Sequence, residues 1–96
     1  MRKCYLLTHS SLVAPYQQMK KVLSSIPEVL TWRTDIPNCF YLVSEADANA
    51  LVALIREKTG KNGRFIVSEI TDNRNGWLTK ESWYFINNKR AKPVEE

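Results

Sequence analysis

The chain has one histidine, His9, and it is followed directly by Ser10 and Ser11. A histidine beside hydroxyls suits acid–base or nucleophilic chemistry, because an imidazole can take the proton a hydroxyl must lose. Two-histidine phosphodiester hydrolysis needs a second imidazole, and none is present. His9 is therefore read as a partly exposed loop residue. Asp72-Asn73-Arg74-Asn75-Gly76 has the oxygen donors and glycine of a calcium loop. Aligning Gly76 with the sixth position of such a loop puts Thr71 at the first and Ser82 at the twelfth. Carboxylates belong at both, and Glu81 is one place off, so the stretch reads as a polar turn. Asp35, Asp47, Glu69 and Asp72 are too scattered to form a metal site. Cys4 and Cys39 fit neither a redox pair nor zinc spacing and read as reduced, packed cysteines. No catalytic residue, no metal ligand and no cofactor are expected.

Two groups remain that suit binding. Lys61, Arg64 and Arg74 bracket a segment rich in β-formers, and Lys89, Arg90 and Lys92 lie near the end of the chain. Such cations neutralise phosphates, although interspersed Asp and Glu make an ordinary solvated surface the competing explanation. Tyr5 and Tyr41 fall in two apolar runs that would pair at the centre of a sheet. On a face turned away from helices they would resemble the stacking platform of single-strand RNA-binding sheets. The run Asn38–Val43 lacks the basic and glycine positions of that motif, which favours burial at a dimer contact or under a C-terminal helix.

The elements that must position these residues are legible from periodicity and punctuation. Arg2–Thr8 reads as a strand. A helix begins near Ala14-Pro15, with Tyr16, Met19, Val22, Leu23 and Ile26 on its apolar side, and stops at Pro27. Val29–Thr34 and Cys39–Val43 form a hairpin about the turn Asp35–Asn38. Ser44 stands as N-cap to a second helix with Leu51, Val52, Leu54 and Ile55, closed by Gly60. Asn62-Gly63 turns the chain into a fourth strand, Arg64–Ile70. Thr79 caps a short third helix carrying Trp83 and Ile86. The result is an α+β fold, a ferredoxin-like βαββαβ sandwich with a short C-terminal helix. Residues 1–88 form the domain and 89–96 a polar C-terminal tail. Leu6, Met19, Leu23, Phe40, Leu42, Leu51 and Ile55 are the expected core. The first and third strands are expected at the centre of the sheet.

Both faces of the strands carry apolar side chains, whereas an antiparallel sheet with one wet face alternates apolar and polar residues. The two crossover helices can cover one face only. The other requires the Trp77–Ile86 segment, a second copy of the chain, or a ligand. A homodimer is thus expected. The 96 residues, 44% hydrophobic, suffice for one core. The charge of +4 mildly favours anionic partners. No run is long enough for a signal peptide or a membrane span, so a cytoplasmic protein without membrane contact is expected.

The βαββαβ order, the hairpin Trp32…Pro37–Val43 and the closing Phe65–Thr71…Asn75–Leu78 resemble small bacterial proteins related to the compact CRISPR spacer-acquisition subunit and to VapD-type toxin ribonucleases. The resemblance spans about residues 3–86. It implies a ferredoxin-like homodimer concerned with nucleic acid or mobile-element defence. That family carries a metal-binding aspartate at the end of the first strand. Here the stretch is Tyr5-Leu6-Leu7-Thr8-His9-Ser10, without an acid, so no catalytic residue carries over. The expected function is a non-catalytic dimeric binding or adaptor domain contacting nucleic acid or protein. The alternatives are a metal-independent or toxin-like ribonuclease and a protein-interaction module or inhibitor.

Overall fold

The computed structural model describes residues 1–91; positions 92–96, which include Lys92 and most of the expected tail, lie outside the described residues. Seven elements run β1 (Lys3–His9), α1 (Tyr16–Ser24), β2 (Thr31–Ile36), β3 (Cys39–Ser44), α2 (Ala48–Thr59), β4 (Phe65–Glu69) and α3 (Lys80–Asn88). The strands form one antiparallel sheet in the order β2-β3-β1-β4, with β3 and β1 at its centre as expected. The domain is α+β, and among the described residues no helix is long and apolar enough to cross a membrane.

Helix α1 follows Pro15, whose carbonyl accepts the Met19 N–H at 2.9 Å. Met19, Val22 and Leu23 are its buried stripe. It ends before Pro27, at Ser25, whose hydroxyl donates to the Val22 carbonyl at 2.7 Å. The N-cap of α2 is Asp47, which accepts the Ala50 N–H at 2.8 Å. Ser44, expected in that role, ends β3 instead. Its buried hydroxyl accepts from the Ala46 N–H at 3.0 Å and donates to the Glu28 carbonyl at 2.7 Å. Thr79 caps α3 as expected, accepting the Ser82 N–H at 3.2 Å. β2 lies two residues further along than the sequence reading placed it. Asp35 and Ile36 extend the strand, and the turn tightens to Pro37-Asn38, with Asn38 at φ +61°. Asn tolerates this left-handed conformation better than most residues.

Register decides which side chains share a face. Tyr5 pairs with Leu42 and Leu7 with Phe40. These four, with Val67, pack under α1 and α2 against Met19, Leu23, Leu51 and Ile55. Six of the seven expected core residues lie in this cluster. Leu6 does not, because β1 presents its odd-numbered positions to the two helices and Leu6 faces the other way. A strand with apolar residues at every position from Cys4 to Leu7 offers two parities of similar hydrophobicity, and a one-residue change of parity exchanges the faces. The opposite face carries a second cluster, in which Cys4, Tyr41 and Val43 meet Phe85 and Ile86 of α3. The C-terminal helix therefore folds back onto the sheet and covers part of the second face.

Candidate functional site

Read across the strands, the second face consists of three rows. Thr31, Val43 and Cys4 align first, with the Ile70 N–H bonded to the Cys4 carbonyl at 2.8 Å. Arg33, Tyr41, Leu6 and Ser68 follow, and then Ile36, Cys39, Thr8 and Ile66. The last row depends on an irregularity: β2 holds one extra residue between Arg33 and Ile36 relative to β3. A bulge of this kind re-aims a side chain, and it brings Ile36 onto this face beside Cys39.

Helix α3 covers the first row and part of the second. Its attachment to β2 is polar. Arg33 Nε donates to Ser82 Oγ at 2.5 Å, and that hydroxyl donates to the Asp35 carboxylate. Arg33 and Asp35 also lie 3.8 Å apart as an ion pair. Ser82 is fully buried and fully satisfied, so the network fixes where α3 sits instead of leaving an orphaned hydroxyl in the core. The third row stays bare. Ile66 is 63% exposed and Ile36 49%, and Trp77, on the segment leading to α3, is entirely exposed. Between the sheet and that segment runs a groove of about 420 Å³, with Leu6, Tyr41 and Ile70 on the sheet side and Trp77, Leu78 and Trp83 opposite.

Burial governs the acids beneath α3. The Tyr41 hydroxyl is pushed up to about 12, first by burial and then by the Asp35 carboxylate. The Cys4 thiol is pushed up to about 11 by burial, opposed by Lys89 and Arg74. Folding favours the neutral form of both. Each therefore stabilises the fold fully below its ordinary value, 9.0 for the thiol and 10.0 for the phenol, and loses that contribution as pH rises through about 11 and about 12. The melting temperature is expected to fall steadily across that alkaline window, and full tyrosinate absorbance should develop only with unfolding. A melting temperature that stays level from pH 9 to 11 would contradict this placement of Cys4.

The sequence-derived candidates are distributed differently from what was expected. Tyr5 and Tyr41 do not lie side by side. Tyr41 floors the groove, whereas Tyr5 points to the α1–α2 side and donates to the Ala46 carbonyl at 2.7 Å. A shared stacking platform is therefore absent, for the parity reason given above. The basic residues form separate groups. Lys61 and Arg64 lie at the start of β4. Arg74 lies beyond its end, donating to Asn87 Oδ1 at 2.7 Å and to the Thr71 carbonyl at 2.9 Å. Lys89 is the left-handed C-cap of α3, and Arg2 reaches its carbonyl at 3.4 Å. Arg90 lies against Tyr84, 3.2 Å from its hydroxyl. His9 is the last residue of β1 and is only 4% exposed, not a partly exposed loop residue. Its Nδ1 lies 2.9 Å from the Ser10 carbonyl, which makes Nδ1 the donor, and its ring stacks on Phe40. Among the described residues no three His, Cys, Asp or Glu side chains converge as metal ligands. Compared with family models, curated proteins and solved structures, the chain matches none of them.

Sequence reasoning set the Trp77–Ile86 segment against this face but missed Ile36 and Ile66 as its bare part. For Ile66 the signal was available, since it alternates with Phe65 and Val67 at period two. For Ile36 it was not, because its direction depends on the bulge.

Proposed function

We propose that this chain is a non-catalytic binding domain of ferredoxin-like plan that acts as a homodimer and takes nucleic acid as its partner. The strand order and the interleaved helices support the plan, and the apolar row left bare beside α3 carries the homodimer. A side chain the size of tryptophan buries about 150–250 Å². In a two-fold contact every residue counts twice, because a residue that meets a second one on the partner is matched by the reverse pair, so Trp77, Ile66 and Ile36 each contribute from both copies. Burying about 600 Å² of apolar surface in this way contributes roughly 15 kcal/mol against association costs of about 4–15 kcal/mol. A second copy meets this need with no partner of different chemistry. Excess positive charge and the uncommitted cations near β4 support an anionic polymer as the partner.

Ile66→Glu tests the contact. The position is exposed, so the variant should fold and melt within about 0.5 kcal/mol of the parent. Its dimer should dissociate at concentrations where the parent is paired, because each protomer would bring a carboxylate into the contact. A variant that keeps the parent's mass by light scattering would exclude this row from the interface.

A further inference from the structure

The loop between α2 and β4 has a feature that neither the groove nor the dimer explains. Arg56 donates to three of its carbonyls: Gly60 at 2.8 Å, Asn62 at 3.0 Å and Gly63 at 3.1 Å. The guanidinium is held in turn over the Phe65 ring, 4.7 Å from its centre. All peptide bonds here are trans, and in a trans peptide the N–H points opposite to the C=O. When the carbonyls of residues 60, 62 and 63 converge on Arg56, the N–H groups of Lys61, Gly63 and Arg64 are turned away from it. None of these three N–H groups donates to a partner among the described residues.

Lys61 and Arg64 add their side chains to the same loop. Arg64 is the one arginine whose guanidinium has no hydrogen-bond or ion-pair partner among the described residues. The other five hold carbonyls, hydroxyls or carboxylates. Lys61, Gly63 and Arg64 line a hollow of about 520 Å³ together with Ser10 and Leu12 from the β1–α1 loop. That volume is in the range of small-ligand sites, roughly 300–1,000 Å³. From Arg56 to Arg64 four cations face Glu57 alone, and Ser10 to Ala14 carry no charge. The two loops are locked together. The Ser10 N–H donates to the Arg64 carbonyl at 3.0 Å, and the space beside Gly63 Cα is filled by the backbone of Leu12 and Val13. Ser10 Oγ, buried at this seam, has no partner among the described residues.

We propose that this hollow binds a phosphate group, held by the Lys61 and Arg64 side chains and by the outward-facing N–H groups of the loop that border it. Oriented backbone amides with a guanidinium fork suit a tetrahedral oxyanion with several acceptor oxygens better than a single carboxylate. The source favoured here is the backbone of a nucleic acid, and in that respect the inference rests on the function proposed above.

The test is an amide-resolved NMR titration of the full chain with sodium phosphate at constant ionic strength. It is then repeated with a mixed-sequence single-stranded oligonucleotide, and both are run in parallel on the Lys61→Ala/Arg64→Ala double variant. Both side chains are exposed, so the variant should fold. Saturable phosphate shifts at Lys61, Gly63 and Arg64, lost in the variant, are expected. The oligonucleotide should shift the same amides, bind the variant at least about tenfold more weakly, and show a salt slope smaller by about 0.7, the loss of one single-strand phosphate contact. No saturable shift at these amides with phosphate, or shifts that survive in the variant, would overturn the site. Phosphate binding here without oligonucleotide binding would keep the site, assign it to free phosphate, and end the nucleic-acid reading. Oligonucleotide binding with no phosphate response and no loss in the variant would keep that reading and end this one.

Discussion

Gly63→Ala is expected to destabilise the domain by about 2–5 kcal/mol, which for a chain of this size lowers the melting temperature by roughly 8–40 °C. Two costs combine. At φ +75° an added methyl is strained by about 1–2 kcal/mol. Its Cβ would also lie 2.6 Å from Val13 N and 2.9 Å from the Leu12 carbonyl carbon, which are backbone atoms and cannot swing away. Forcing the loops apart costs about another 1–3 kcal/mol and breaks the wall of the proposed phosphate hollow. Gly60→Ala is the matched control. Its backbone, at φ +82° and ψ −153°, also strains an alanine by about 1–3 kcal/mol, but nothing lies within 4 Å of the added Cβ, so no packing cost adds to it. Urea unfolding of the two variants checks this. Equal losses would mean that the β1–α1 loop does not pack on Gly63.

Phe85→Ala should cost about 3–5 kcal/mol. Phe85 is 2% exposed and packs among Cys4, Tyr41, Val43 and Ile86. This variant tests whether α3 belongs to the fold or merely trails from it. Trp77→Ala provides the contrast. It removes a larger side chain, but one with no burial in the single chain, so the protomer should lose less than about 0.5 kcal/mol while its self-association weakens. A Phe85→Ala variant that melts like the parent would show that α3 is not docked on the sheet.

The elements were readable because their signals are local. Pro15 and Pro27 bracket α1, Gly60 closes α2, Thr79 opens α3, and Cys39–Val43 is dense in β-formers. The two-sided apolar pattern also required a cover for the second face, and α3 supplies part of it. What failed was parity. Cys4-Tyr5-Leu6-Leu7 has no polar residue to mark its outer side, so Tyr5 and Leu6 exchanged faces in the sequence reading. Long-range contacts were equally invisible. Nothing near Arg33 or Asp35 announces Ser82, because the pairing depends on how α3 returns to β2. Lys61 and Arg64 stood out as cations, but the orientation of their amides depends on Arg56 and its three carbonyl partners. Those contacts span only four to seven residues along the chain, and they follow from loop conformation that composition does not encode.

If a second copy of the chain covers the bare row beside α3, the protein is a dimer in solution. Light scattering on the unmodified protein at micromolar concentration tests it most directly. The expected mass is twice the 11.1 kDa of the chain, shifting toward the single-chain value on dilution or in Trp77→Ala. A mass of 11.1 kDa that persists as the concentration is raised would contradict it.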